Sequence, residues 1–67
     1  MFVLEIVKKG SIPSISVEST IDDCIALAKS LCDNEILTRW EEVGRCLKER
    51  TRWTDGTTTI KITGKRG

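Results

Sequence analysis

Cys24, Cys32 and Cys46 are the residues of this 67-residue chain with the most reactive chemistry available to them, and the sequence has no histidine to activate them. A thiol works as a nucleophile only beside a base that takes its proton, and here a lysine or carboxylate would have to serve. A zinc site built on all three would still need a carboxylate or water as its fourth ligand. Cys24 and Cys32 would lie about 12 Å apart along one helix, too far to bridge. Three thiols without paired spacing read as small apolar side chains in a reducing compartment. The neighbouring acids Asp22 and Asp23 would point about 100° apart on a helix, which suits a helix start better than a metal or a general acid and base. The serines between Ser11 and Ser16 have no base placed to activate them. No P-loop or G-x-G-x-x-G pattern is present. The residues therefore point to a binding module rather than an enzyme, with no cofactor and no metal.

Charge and aromatic rings carry the remaining signal. The net charge of +1 divides unevenly, −2 over residues 1–34 and +3 over residues 35–67. Cations gather late in the chain, at Arg39, Arg45, Arg50, Arg52 and Lys61, interleaved with Trp40 and Trp53. Such a pattern suits contact with an anionic partner, DNA or a host protein complex.

The elements that must position these residues follow from periodicity. Phe2 to Val7 is apolar on both alternating faces except at Glu5, as in a strand inside a sheet. Ser11 to Glu18 alternates and returns as a second strand, which Pro13 confines to an edge or to a start after the proline. Ser19 or Thr20 caps a helix whose buried face is Ile21, Cys24, Ile25, Ala28, Leu31 and Cys32. Asp33 and Asn34 leave almost no loop before a second amphipathic helix, on which Ile36, Leu37, Trp40, Val43, Gly44 and Leu47 share one face. Asp55-Gly56 reads as a two-residue hairpin turn between Arg50–Thr54 and Thr57–Thr63. That turn sets Arg50 opposite Lys61, Arg52 opposite Thr59 and Trp53 opposite Thr58. The expected fold is one small α+β domain over residues 1–67. An antiparallel sheet, from an N-terminal strand or hairpin and the C-terminal hairpin, packs on one or two amphipathic helices, and residues 64–67 form a flexible tail. A domain this short buries only about 60% of the surface of its unfolded chain, so association as a homodimer or with a partner is expected to supplement the core. The run MFVLEIVKKG is too short for a signal peptide or a membrane span, which leads to a soluble cytoplasmic protein.

A competing assignment exists for residues 35–50. Val43-Gly44 can centre a turn, because glycine costs about 1 kcal/mol in a helix interior and suits the positive φ of a type II turn. Residues 35–53 would then form two strands of a meander. Leu47 shares its face with Glu49 in that version, and helical periodicity is the better fit.

In the helical version, Leu37-Thr38-Arg39-Trp40-Glu41-Glu42-Val43-Gly44-Arg45, followed by Arg52 and Asp55-Gly56, resembles a segment of MerR-type and excisionase-type winged-helix proteins. There a helix carrying an R-[W/Y]-x-x-x-G pattern runs into a wing. The resemblance covers about residues 20–63 and implies a small DNA-binding regulator. It would place Thr38, Arg39, Glu42 and Arg45 on the exposed side of the reading helix, and Arg50, Arg52 and Lys61 in the wing. The meander version is similar in layout to small phage inhibitor proteins, anti-CRISPR proteins among them. That likeness implies an inhibitor or adaptor that occupies a protein surface through Arg39, Arg45, Arg50 and Arg52, anchored by Trp40 or Trp53.

Overall fold

The computed structural model describes residues 1–64. The elements run β1 (Phe2–Lys8), β2 (Ser14–Glu18), α1 (Ile21–Leu31), α2 (Asn34–Leu37), α3 (Trp40–Arg50), β3 (Arg52–Thr54) and β4 (Thr58–Gly64). The strands form one antiparallel sheet in the order β2-β1-β4-β3, so both hairpins contribute and β1 is interior, as its apolar faces require. β2 starts at Ser14, just past Pro13, and lies at an edge. Gly64, read as the start of a tail, is the last residue of β4 and pairs with Phe2. The rest of that tail, with Lys65 and Arg66, lies outside the described residues.

Helices cover one face of the sheet. α1 packs on β1, β2 and β4, while α3 packs on β3, β4 and α1. The core between the layers is Leu4, Cys24, Ala28, Ile36, Val43, Leu47, Trp53, Ile60 and Ile62. Thr20 caps α1, its Oγ1 accepting from the Asp23 N–H at 3.0 Å, and Asp22 and Asp23 sit in the first turn, where the helix dipole favours acids.

Residues 34–37 and 40–50 are helical, which settles the choice against the meander, but they do not form one helix. Asp33 caps a single turn, α2, by accepting from the Ile36 N–H at 3.1 Å. The chain then breaks at Thr38 and Arg39. The Thr38 hydroxyl donates to the Glu35 carbonyl at 2.7 Å, and the Arg39 N–H bonds back only three residues, to Ile36. Such back-bonding competes with the regular ladder and bends helices. Gly44 lies inside α3, contrary to its suitability for a turn. A Cβ added there would meet the Trp40 indole at 3.6 Å, an ordinary contact. Gly44→Ala is therefore expected to raise the unfolding free energy by about 1 kcal/mol in a urea titration; a fall would mean that Trp40 cannot accept the methyl group.

The second hairpin keeps its sequence-assigned faces but not its register. Arg52 pairs with Lys61, Trp53 with Ile60 and Thr54 with Thr59, a slip of two residues from the arrangement read off Asp55-Gly56. The cause is a longer loop. The Asp55 carboxylate accepts the N–H groups of Thr57 and Thr58 at 2.8 and 2.7 Å, and Gly56 takes φ +92°, where a side chain would be strained. Arg50 ends α3 instead of facing Lys61, and the like-charged neighbours are Arg52 and Lys61. A two-residue slip preserves parity, so Trp53, Thr58, Ile60 and Ile62 still point at the helices.

The N–H groups of Thr58 and then Thr57 hold the Asp55 carboxyl below its usual pKa. A carboxylate lowered in this way contributes fully above its unfolded pKa of about 3.9 and loses that contribution as pH falls through the lower folded value. Asp55→Ala is thus expected to lower the melting temperature at neutral pH. The gap to the parent chain should close as the pH drops below the carboxylate range, and a gap independent of pH would contradict this role.

Candidate binding groove at the β3 edge

α3 passes into β3 through one residue. Thr51 takes the left-handed conformation, φ 57° and ψ 21°, and its N–H donates to the Leu47 carbonyl at 3.0 Å. This abrupt helix end brings the last turn of α3 against the edge strand. Alternation then turns Trp53 inward, 5% exposed, and leaves Arg52 and Thr54 exposed. Between helix and strand runs an open groove of about 500 Å³ lined by Glu42, Cys46, Arg50, Arg52, Trp53 and Thr54. Glu42, Cys46 and Arg50 are spaced four apart on one stripe of α3.

Arg39 contacts two of the residues that line this groove, Trp53 and Glu42. Its guanidinium carbon lies 5.6 Å from the Trp53 ring centroid, within cation–π range, and its Nη2 pairs with the Glu42 carboxylate at 3.2 Å. Glu42 therefore offsets Arg39. Arg50 and Arg52 have no carboxylate within ion-pair distance among the described residues, so two guanidinium groups flank a groove floored by an indole.

The structure thus brings together Arg39, Glu42, Arg50, Arg52 and Trp53 from the residues the sequence singled out. The others lie elsewhere. Thr38 is spent on the Glu35 carbonyl. Arg45 is exposed on α3, and Trp40 is half-buried over Gly44. Lys61 sits on the sheet face turned away from the helices, because its neighbours Ile60 and Ile62 face the core. Cys46 was weighed in the sequence only for its thiol chemistry, and Thr54 was not singled out; neither was expected to line a groove. The four-residue spacing to Glu42 and Arg50, and the strand parity with Arg52, carried the signal for them.

Electrostatics along α3 are mixed. Its exposed residues are Glu41, Glu42, Arg45, Lys48, Glu49 and Arg50, and Lys48 approaches Asp22 of α1 at 3.8 Å. All three cysteines are free. Burial, reinforced by Glu18 and Asp23, pushes the Cys24 thiol up, and burial with Asp33 does the same at Cys32. Both remain protonated at neutral pH and are poor nucleophiles. No helix among the described residues is long and apolar enough to cross a membrane.

The fold and groove define a small two-layer α+β domain with an arginine-lined edge. Compared with protein-family models, with curated proteins and with solved structures, the chain matches none.

Proposed function

We propose that this chain is a non-catalytic binding module, an adaptor or inhibitor, that seats an acidic segment of a partner protein in the groove beside β3. The observation that carries this reading is the pair of unneutralised guanidinium groups, Arg50 and Arg52, flanking the Trp53 floor. Guanidinium forks bind carboxylates in bidentate fashion, and a largely buried indole gives them a rigid, apolar backing. The neighbouring strand is also a sheet edge, a place where an extended segment can add main-chain hydrogen bonds.

The test is capture from a nuclease-treated lysate with the parent chain and with Arg50→Glu/Arg52→Glu, after circular dichroism has established that both are folded. A discrete protein complex recovered by the parent and lost with the double variant is expected. Recovery by both chains alike would overturn the reading.

DNA is the second reading, favoured by the order helix, tight turn, helix, hairpin and by Arg39 and Arg45 at the start and middle of α3. Glu41, Glu42 and Glu49 on the same exposed side would repel phosphates, which puts DNA behind an acidic protein. A DNA-binding role requires an affinity that falls steeply with salt; titration of a duplex without binding at low salt removes it.

A further inference from the structure

We infer that the sheet face turned away from the helices, on which Arg52 also lies, is an interface between two copies of this chain; the inference does not rest on what occupies the groove. The alternation of β2 is the first indication. Ser16 pairs with buried Leu4 and faces the helices, while Ile15 and Val17 face outward, 64% and 50% exposed. Strands that bury one sheet face place apolar residues on that face, and β2 does the reverse. Val3 and Val7 of β1 continue the outward apolar surface.

Charge chooses the occupant. Cross-strand pairing lays Ile15, Glu5, Lys61 and Arg52 in one row across this face. Glu5 and Lys61 are direct neighbours at its centre, on β1 and β4, yet they form no ion pair with each other. Stack a second copy face to face, related by a two-fold axis that runs along the strands between β1 and β4. The β1 strand of each copy then lies over β4 of the other. Glu5 falls opposite Lys61 of the second copy, and Lys61 falls opposite its Glu5. The same axis sets Ile15 opposite Arg52 of the second copy, so the self-complementarity that an isologous interface needs lies in the two central Glu5–Lys61 contacts.

Its size fits a weak dimer. β1 and β4 have seven residues, β2 five and β3 three, which at about 3.4 Å per residue and about 4.8 Å between strands gives a footprint of roughly 360 Å² per copy. That is less than a tenth of the 4707 Å² surface of the chain, and the two footprints together stay below the ~1,000 Å² lower bound of stable interfaces. Association should therefore be weak and transient, appearing between micromolar and millimolar concentration and toward the upper end of that range.

The decisive experiment is sedimentation equilibrium over that range with the parent chain, Glu5→Lys, Lys61→Glu, and an equimolar mixture of the two variants. The parent mass should rise from 7.5 kDa toward twice that value. Each variant alone should self-associate roughly tenfold more weakly or worse, because it sets like charges opposite one another. The mixture should recover association, since a Glu5→Lys chain complements a Lys61→Glu chain at both contacts. Repulsion within each chain is the same alone and mixed, so recovery can only come from contact between chains. Ile15→Arg, a change at an exposed position, should also abolish the dimer while leaving the circular dichroism unchanged. A parent that stays monomeric at millimolar concentration, or a mixture no better than its components, overturns the inference and leaves this face to a different partner.

Discussion

Trp53→Ala is expected to cost about 3–5 kcal/mol, the range for emptying a buried tryptophan site. The ring is 5% exposed, pairs across to Ile60, belongs to the central cluster and carries the Arg39 guanidinium on its face. A chain of this length has roughly 3–10 kcal/mol of stability in total, so the loss takes a large share and should leave a measurable unfolded fraction at room temperature. Trp53→Phe keeps a ring against Arg39 and should cost less than half as much. Both values are read from urea unfolding followed by circular dichroism, with the slope compared to that of the parent. A cost below about 1 kcal/mol for the alanine variant would mean that Trp53 is not the floor of a packed groove.

Ile60→Ala should be nearly as damaging, at about 2–5 kcal/mol. Ile60 is fully buried in the middle of β4, flanked by Ile6 on β1 and Trp53 on β3. It therefore couples the two hairpins through the only strand that pairs with both β1 and β3 among the described residues. Ile60→Val, which removes a single methyl group, should cost about 0.5–1.5 kcal/mol. The two substitutions separate the groove from the core: Ile60→Ala leaves every groove-lining side chain in place, whereas Trp53→Ala removes the surface behind Arg39. At temperatures where both are folded, partner binding should fall for the tryptophan variant and persist for the isoleucine one.

Much of the fold could be read from residue pattern. The apolar run of β1 required a central strand, Pro13 confined β2 to an edge or to a start after it, and Ser19 or Thr20 with Asp22 and Asp23 marked the start of α1. The stripe of Ile36, Val43 and Leu47 marked the buried side of the second helical stretch. Three features escaped the pattern because side chains overrode it. The Thr38 hydroxyl, bonding back to Glu35, divides that stretch into α2 and α3. The Asp55 carboxylate substitutes for a backbone acceptor and lengthens the hairpin loop, shifting its register. β2 turns its apolar side outward, so alternation located the strand but assigned no face to it.

The groove was partly legible for the same reason. Arg39 and Glu42 stand three apart, and Arg50 and Arg52 flank the helix end, so their types and positions drew notice. Their convergence on Trp53 depends on the left-handed residue Thr51, a conformation that a β-branched threonine seldom takes and that no sequence pattern announces. Arg45 shares the chemistry of the groove residues but is exposed on a different stripe of α3, and Lys61 stands beside Arg52 on the outward sheet face, so the one cationic surface read from the sequence is divided in space.

The most direct test of the groove as a binding site for acidic protein segments is a two-dimensional NMR titration. The isotope-labelled chain is titrated with a hexaglutamate peptide at low and then physiological salt, beside Arg50→Glu/Arg52→Glu under the same conditions. Shifts are expected to concentrate at Arg50, Arg52, Thr54 and the Trp53 indole N–H, weakened but retained at physiological salt and absent in the double variant. A spectrum unmoved around Trp53, or equal shifts in parent and variant, would contradict a binding role for the groove.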